Sequence, residues 1–365
     1  MNKTLIIFMP SIEDGGVEKN LFIVANYLSK KIDNIEIITC NNNFKNNFNK
    51  NIKFTGTKNN FWNGCNKKLK YIICLSILFK KLFLNKDKYL VFAFQANMYA
   101  IIISKIFNTK VITRSNTSVS GWSKNIIKLF FYKFFLNLAD DIIVNSQLFQ
   151  KEFFKKFNIK VKYIYNPFDK SLIKKSILNK KKINFFKKNT LNMLSVGRLT
   201  DQKDHFTLLR SMRMIDSKLR PRLIIVGKGK NSYKLKKYCN DYNMQKFIKF
   251  TGYLKNPYKY IESSQIVILT SKFEGLPNIL IESQFFKKYI ISTNCPTGPK
   301  EILLNGLAGD LIKIGDSKKL ANLINNYYNN KKIISKKIDV GSKNLVRFDY
   351  KRNCKKYLDF VLNNF

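Results

Sequence analysis

Short apolar runs recur along this chain, and most are followed by a polar turn and then by an amphipathic helical pattern. Such runs are typical of strands buried in a parallel sheet whose two faces are covered by helices. With 365 residues, the chain is long enough to form two domains of this kind, each with its own core. We therefore predict an α/β protein with two parallel sheets. The predicted strands are residues 4–9, 35–39, 89–94, 110–113, 141–144 and 161–164 in the first half, and 192–196, 222–226, 248–251, 265–269 and 289–292 in the second.

The apolar pattern is broken in a segment rich in lysine and asparagine between residues 169 and 190. Polar segments of this kind commonly connect domains. We therefore predict a first domain over residues 1–168, a linker over 169–190 and a second domain over 191–343. The last segment, 344–365, has the spacing of an amphipathic helix.

Two glutamates, Glu274 and Glu282, follow the predicted strand 265–269 and lie on either side of a Gly-Leu-Pro-Asn bend. The bend ends the strand, Asn278 can cap or start a helix, and Glu282 would lie one turn into that helix. Ligands of open α/β sheets bind at the carboxyl ends of strands, so both acids are expected near a ligand. Two carboxylates can accept hydrogen bonds from different hydroxyls of one polyol. The alternative is a helix-capping glutamate followed by a solvated one.

A second polar loop follows the predicted strand 192–196, has the sequence GRLTDQKD and contains Arg198 and Lys203. Fixed cations at a strand end can stabilise the negative charge that gathers on a departing pyrophosphate. Because the chain has 67 lysines and arginines, ordinary surface charge is the alternative for any two of them.

Glycines follow two other predicted strands. Gly15 and Gly16 lie between strand 4–9 and a helical pattern, where backbone N–H groups can approach a phosphate closely. Gly227 follows strand 222–226, but Ser232 stands where a nicotinamide-binding fingerprint needs its third glycine. A plain turn is the alternative in both places.

Three segments together resemble motifs of the retaining GT-B enzymes of glycosyltransferase family 4. They are SIEDGGVEKNLFIVANYL near the amino terminus, GRLTDQK in the middle, and EGLPNILIES followed by STNCPTGPKEIL. The resemblance implies a GT-B fold, in which two Rossmann-like domains face each other across a cleft. It also implies that the segment 344–365 crosses back to the first domain, and that a sugar is transferred from a nucleoside diphosphate with retention of its anomeric configuration.

By the same resemblance, Arg198 and Lys203 would bind the donor diphosphate as catalytic cations. Glu274 would face the transferred sugar, and Glu282 would accept hydrogen bonds from the ribose. The resemblance also places a glycine loop against the donor phosphates and another loop near the nucleotide base. Further donor-binding candidates are Gly16, Gly227, Tyr253 and Asn278.

Three residues of the first domain are candidates for contact with the acceptor or elsewhere in the cleft: Gly15, Arg114 and Asn116. The last two follow the predicted strand 110–113, and a helix cap formed by Asn116 and Ser115 is the alternative. Many relatives have a histidine near this position. The one histidine here, His205, lies in the second domain, so histidine acid–base chemistry from the first domain is excluded.

The sequence CPTGPKEIL is similar to the corresponding segment of enzymes that build bacterial surface glycans on lipid carriers. We therefore expect transfer of a hexose or N-acetylhexosamine, from a donor that is preferably UDP-linked, to a lipid-linked saccharide in surface polysaccharide synthesis, including lipopolysaccharide. Neither a metal nor another cofactor is expected, because side-chain cations would neutralise the diphosphate. Two alternatives stay open: a nucleotide-sugar epimerase of similar fold, or a basic protein that binds membranes or nucleic acid.

The formal net charge of +44 favours anionic partners. No specific nucleic acid is expected, since we find none of the usual nucleic-acid-binding motifs. An anionic membrane surface fits residues 126–136, where aromatic residues are mixed with lysines, although a core helix is an equal alternative there. The similar segment 67–84 is better interpreted as a core helix with basic flanks. A genome-wide bias toward lysine and asparagine would also produce such a charge.

The chain lacks an apolar stretch of about 20 residues and a recognisable cleavable signal, so no membrane-spanning helix is expected. Its cysteines show no Cys-x-x-Cys spacing, and with one histidine they form no evident zinc site. We expect a reduced, cytoplasmic protein, either free or peripheral on the inner face of the cytoplasmic membrane. The cysteines are Cys40, Cys65, Cys74, Cys239, Cys295 and Cys354.

Overall fold

A computed structural model describes residues 3–13, 15–56, 60–85, 88–123, 125–176, 183–219 and 221–365. The strands are β1 (Thr4–Phe8), β2 (Ile35–Ile38), β3 (Lys53–Thr55), β4 (Tyr89–Ala93), β5 (Val111–Ser115), β6 (Asp141–Val144), β7 (Lys162–Tyr163), β8 (Asn192–Val196), β9 (Arg222–Val226), β10 (Ile248–Gly252), β11 (Ile266–Leu269), β12 (Tyr289–Thr293) and β13 (Asp310–Ile312). The helices are α1 (Gly16–Leu28), α2 (Lys67–Asn85), α3 (Asn97–Ile106), α4 (Ile126–Asn137), α5 (Gln147–Phe157), α6 (Lys170–Ser176), α7 (His205–Met212), α8 (Ser232–Asp241), α9 (Tyr258–Ser263), α10 (Asn278–Phe285), α11 (Gly298–Ile302), α12 (Ser317–Asn325), α13 (Lys331–Lys343) and α14 (Tyr350–Leu362).

Every predicted strand is present, with ends within two residues of the predicted ones. Two strands were missed, β3 and β13, and both have only three residues. Each also begins with a charged residue, so neither forms an apolar run that the sequence pattern could reveal.

The chain divides into two compact units. The first contains residues 1–167 and 349–365, and the second contains 168–348. The segment 169–190, predicted as a linker, belongs to the second unit. Its first part forms helix α6, in which Ile173 is buried. Residues 177–182 of that predicted linker lie outside the described ranges.

The predicted helix 344–365 is also divided in the structure. Its first residues form a 3₁₀ turn, Asn344–Phe348, which belongs to the second unit. Helix α14 then begins after Asp349, whose carboxylate accepts a hydrogen bond from the backbone N–H of Arg352 at 2.9 Å. This carboxylate cap starts a new helix where the sequence pattern predicted one continuous helix.

The first unit has a seven-stranded parallel sheet in the order β3-β2-β1-β4-β5-β6-β7. Alternate residues of β1 point to opposite faces, so Leu5 lies in one core cluster and Ile6 in another. The Leu5 cluster includes residues of α1 and α14, and the Ile6 cluster includes residues of α2, α3, α4 and α5. Both faces of the sheet are therefore covered by helices.

The second unit has a six-stranded parallel sheet in the order β10-β9-β8-β11-β12-β13. From β8 the chain first adds β9 and β10 on one side, and then returns to place β11 on the other side of β8. This reversal is a topological switch point, and the crevice outside the carboxyl ends of β8 and β11 is where such sheets bind ligands. The loop that follows β8 contains the predicted diphosphate cations, the loop that follows β11 contains Glu274, and the next helix, α10, contains Glu282.

Candidate functional site

The loop after β8 places two cations of different exposure at the switch point of the second unit. Arg198 is exposed, and its Nη2 lies 3.4 Å from Oε1 of Gln202. The side chain of Lys203 is only 15% exposed, and its ammonium group forms an ion pair with the carboxylate of Glu274. The structure thus brings together Lys203 and Glu274, which the sequence placed 71 residues apart.

Glu274 is held by two groups at once. Besides Lys203, the hydroxyl of Ser271 donates a hydrogen bond of 2.6 Å to Oε1 of Glu274. The residue is 6% exposed, so its carboxylate is fixed in a mostly dry environment. These two partners fix the orientation of the carboxylate. The alternative, in which Glu274 only caps a helix, is therefore wrong.

The loops after β8 and β11 are joined through Gln202. The backbone N–H of Lys272 donates to the carbonyl of Gln202 at 2.8 Å, and Nε2 of Gln202 donates to the carbonyl of Phe273 at 2.9 Å. The hydroxyl of Thr270 donates to the carbonyl of Lys203 at 3.0 Å. These bonds fix the loop that contains the cations against the loop that contains Glu274.

The CPTG segment after β12, residues 295–298, packs against the loop that contains Glu274. The hydroxyl of Thr297 donates to the carbonyls of Glu274 at 2.8 Å and Gly275 at 3.1 Å. A Cβ added at Gly298 would lie 2.0 Å from the carbonyl oxygen of Gly275, so only glycine fits there. Sequence reasoning did not identify Gln202, Ser271 or Thr297 as positioning residues. A signal was available for Gln202, which lies between Arg198 and Lys203 in the GRLTDQK motif, and for Ser271, which lies three residues before Glu274.

Gly227 has a packing role in this edge of the sheet. Its φ is +154°, and an added Cβ would lie 1.9 Å from the carbonyl oxygen of Gly197. The backbone N–H of Leu199 donates to the carbonyl of Lys228 at 3.0 Å, which ties the two loops together. The glycine therefore allows the loop after β9 to approach the loop that contains Arg198. Donor contact by Gly227 stays a prediction.

Two other donor candidates lie on neighbouring elements. Asn278 is the first residue of α10, as predicted, and Pro277 precedes it at the cap position. Glu282 lies in the second turn of α10 and is 6% exposed, so the alternative of a solvated helix residue is wrong. Tyr253 follows β10, and Nζ of Lys228 lies 5.5 Å from the centroid of its ring.

The thiol of Cys295 lies near Glu274 but has no nucleophilic character. Burial, reinforced by the charge of Glu274, raises the pKa of Cys295 to about 12, so the thiol is protonated at neutral pH. Within the described ranges, no group of three or more histidine, cysteine or acidic side chains could hold a metal ion.

His205 begins helix α7, directly beyond the cationic loop, and is 2% exposed. Burial, together with the charge of Lys203, lowers its pKa from 6.5 to about 4. The folded protein therefore keeps this imidazole neutral at pH values where an unfolded chain would protonate it.

We expect the second unit to lose stability as the pH falls through the window between 6.5 and 4 because of His205. The unfolded state binds the proton there and the folded state does not, which should remove about 3 kcal/mol of unfolding free energy. Urea unfolding at pH 7 and pH 4, in the wild type and in His205→Gln, measures this. The difference in stability between the two proteins should change by that amount between the two pH values. An unchanged difference would contradict the assignment.

In the first unit, the glycine loop after β1 lies at that sheet's own switch point, between β1 and β4. Gly15 is the cap residue of α1, and Gly16 is its first residue. The backbone N–H of Ser11 donates to Oε1 of Gln95, which follows β4, at 2.9 Å. Burial raises the pKa of the Glu18 carboxyl, in the first turn of α1, to about 7. Ligand contacts by Gly15 and Gly16 stay predictions.

The prediction that Arg114 contacts a ligand needs correction. Strand β5 extends to Ser115, so Arg114 lies inside the strand and is 1% exposed. Its Nε donates to the hydroxyl of Tyr357 at 2.8 Å, and its Nη2 donates to Oδ1 of Asn166 at 2.7 Å. Arg114 therefore ties helix α14 to the sheet of the first unit.

Asn116 joins two strand ends instead of capping a helix. Its Nδ2 donates to the carbonyl of Phe94, just beyond β4, at 3.0 Å. The next helical turn, Val119–Gly121, is capped by Ser118, so the capping alternative for Asn116 is wrong. Acceptor contact by Asn116 stays a prediction.

The family described as glycosyl transferases group 1 matches residues 176–342, which are most of the second unit. An uncharacterized glycosyltransferase of Methanocaldococcus jannaschii is 34% identical over 218 residues, which cover 56% of this chain and 53% of that protein. This chain thus spans about half the length of that relative. An N-acetylgalactosaminyltransferase of Campylobacter jejuni, whose name specifies a diphospho-undecaprenol-linked saccharide, is 27% identical over 258 residues, or 67% of this chain and 68% of that one.

Solved structures match the fold over nearly the whole chain. The structure of HepE from Anabaena, in complex with UDP, has a TM-score of 0.77 at 18% identity and covers 99% of this chain and 100% of that one. Two parallel-sheet α/β units, the motifs at their switch points and these similarities agree with one another. Residues 176–342 of this chain are therefore similar to the glycosyl transferases of group 1, and its two Rossmann-like units are those of the GT-B fold.

Proposed function

We propose that this protein is a retaining glycosyltransferase that moves a hexose or N-acetylhexosamine from a UDP-linked donor to a lipid-linked saccharide in surface polysaccharide synthesis. The observation that carries the proposal is the pairing of Lys203 with Glu274 at the switch point of the second unit, beside the exposed Arg198. Such a site offers cations for a diphosphate and carboxylates for sugar hydroxyls within one edge of one sheet.

In the proposed mechanism, the bond between the anomeric carbon and the donor phosphate breaks first, and negative charge gathers on the departing diphosphate. Arg198 and Lys203 stabilise this charge, which is larger in the transition state than in the bound donor. The acceptor hydroxyl then attacks the same face of the sugar, and its proton passes to the departing phosphate oxygen. Glu274, oriented by Ser271, accepts hydrogen bonds from the transferred sugar, and Glu282 accepts them from the ribose.

The choice of UDP and of a lipid-linked acceptor has separate support. The Anabaena structure contains UDP, and the name of the Campylobacter relative specifies an undecaprenol-linked saccharide. The proposal includes peripheral attachment to the membrane that contains such an acceptor. It also includes catalysis without a metal, because two side-chain cations are available for the diphosphate.

A panel of radiolabelled nucleotide sugars, incubated with the purified protein and a bacterial lipid extract, tests the proposed function. We expect label from one UDP-sugar to enter the lipid phase, and an excess of EDTA to leave the rate unchanged. Conversion of a donor into its epimer without any acceptor would favour an epimerase instead. Binding to lipid or RNA with no turnover of any donor would overturn the enzyme assignment, and rescue of an EDTA-treated sample by magnesium would overturn the metal-free scheme.

A further inference from the structure

Helix α4 presents an apolar stripe to solvent. Ile127, Phe130, Phe131 and Phe134 are spaced as i, i+3, i+4 and i+7, so they lie on one face of the helix. More than half of the surface of each residue is exposed to solvent. The exposed fractions are 67% for Ile127, 67% for Phe130, 54% for Phe131 and 53% for Phe134.

The opposite face of α4 packs on the first unit. Leu136 is 2% exposed and lies in the core cluster, and the ring of Tyr132 contacts that of Trp122 edge-on, with centroids 5.6 Å apart. The inner face of α4 therefore packs on the first unit, and both its inner and its outer face are apolar. The alternative of a core helix for residues 126–136 does not hold for its outer face.

The apolar surface continues onto the neighbouring helices of the same layer. Helix α4 contacts α3, and α3 contacts α2. Exposed apolar side chains on α2 and α3 include Phe79, Phe83 and Ile106, at 46%, 69% and 63% exposed. Helix α2 also buries Cys74, Leu78 and Leu82, so the interpretation of residues 67–84 as a core helix is confirmed. We call the outer side of α2, α3 and α4 the apolar layer.

Positive charge is in excess around the apolar layer, where Lys81 of α2 pairs with Glu36 and Lys105 of α3 pairs with Asp140. Between residues 60 and 138 the sequence has twelve lysines and Arg114 against one acidic residue, Asp87. Lys128 and Lys133 are exposed within α4 itself, and the helix has no acidic residue. Beside its first turn lies a cavity of about 370 Å³ that is lined by Ile126, Leu129 and Lys156, among others. An exposed apolar face with an excess of lysines around it matches an anionic bilayer, which supplies both hydrocarbon and negative phosphates.

We propose that the apolar layer, centred on α4, is the surface by which this protein docks on a bilayer that contains anionic phospholipid. Ile127, Phe130, Phe131 and Phe134 enter the boundary between headgroups and acyl chains, while Lys128 and Lys133 contact lipid phosphates. This docking would hold the first unit where a lipid-linked acceptor lies, a consequence that rests on the proposed function. Binding to the bilayer itself does not depend on it.

Cosedimentation of the full chain with vesicles tests the docking. We expect binding to vesicles of phosphatidylcholine with 30 mol% phosphatidylglycerol, and much weaker binding to phosphatidylcholine alone. The double variant Phe130→Ser/Phe131→Ser should reduce the partition coefficient by at least about 30-fold, since two large apolar groups no longer leave water. The variant Lys128→Glu/Lys133→Glu should abolish the preference for phosphatidylglycerol.

A matched control comes from the second unit. Leu307 and Ile333 are 67% and 55% exposed, close to the values for Phe130 and Phe131. Leu307→Ser/Ile333→Ser should bind vesicles like the wild type, and circular dichroism should show that all variants are folded. Equal loss in the control would mean that exposed apolar area in general drives binding, and would overturn the proposal.

Sedimentation velocity separates a bilayer from a second copy of the chain. If the wild type forms a dimer that Phe130→Ser/Phe131→Ser converts to a monomer, the apolar layer is a self-association surface and the proposal is wrong. Vesicle binding is measured without any sugar donor. Its failure therefore leaves the proposed transfer reaction untouched, and a failed transfer assay leaves the docking result standing.

Discussion

Replacing Arg198 with alanine should lower kcat for sugar transfer by roughly 100- to 1000-fold, the usual loss when one preorganised group that stabilises developing charge is removed. Arg198 is exposed and has one long hydrogen bond, to Gln202, so its removal should leave the fold intact. Its proposed contact strengthens as charge gathers on the departing diphosphate. Binding of UDP should therefore weaken much less than kcat falls. Steady-state kinetics and calorimetric titration with UDP measure the two effects.

Arg210 provides the matched control for this prediction. It is an exposed arginine on α7, the helix that follows the cationic loop, and it should not contact the donor. Arg210→Ala is expected to keep wild-type kcat and wild-type affinity for UDP. If Arg198→Ala also kept wild-type kcat, Arg198 would have no part in stabilising the leaving group.

Gly227→Ala should destabilise the second unit by roughly 3–5 kcal/mol and sharply weaken binding of UDP. The added Cβ would meet the carbonyl oxygen of Gly197 at 1.9 Å, in a backbone conformation with φ of +154° that side chains rarely adopt. To relieve the clash, the loop that contains Arg198 must move away from the strand. Urea unfolding and UDP titration report the two consequences.

Gly315→Ala separates the backbone strain from the clash. Gly315 has a φ of +81°, and no heavy atom lies within 4 Å of the position of an added Cβ. This variant should cost only about 1–2 kcal/mol and leave UDP binding unchanged. If both variants lost the same unfolding free energy, the clash with Gly197 would contribute nothing to the loss in Gly227→Ala.

The fold was predictable because buried parallel strands leave a strong local signal. Strands such as β1 and β9 each contain four consecutive apolar residues, and each is followed by a turn and a helix. The strands β3 and β13 had no such signal. The start of α14 at Tyr350 was also not predicted, because it depends on a cap at Asp349 within a pattern that is helical on both sides.

The site was predictable where a motif keeps its residues close in sequence, and it was not where partners come from distant segments. The contact between Lys203 and Glu274 follows from the order of β8 and β11 in the sheet, which no local pattern encodes. Arg114 shows the opposite case. Its position just after a predicted strand indicated a ligand contact, but two more residues of strand turned it inward toward Tyr357.

The bond between Arg114 and Tyr357 has a consequence for synthesis of the chain on the ribosome. The first unit is translated first, yet its core lacks Tyr357, Phe360 and Val361 until α14 has been made. The nascent amino-terminal half must therefore wait, with an incomplete interior, while the contiguous residues 168–348 emerge and can fold as a unit. We expect it to be open to chaperones and to aggregation during that interval.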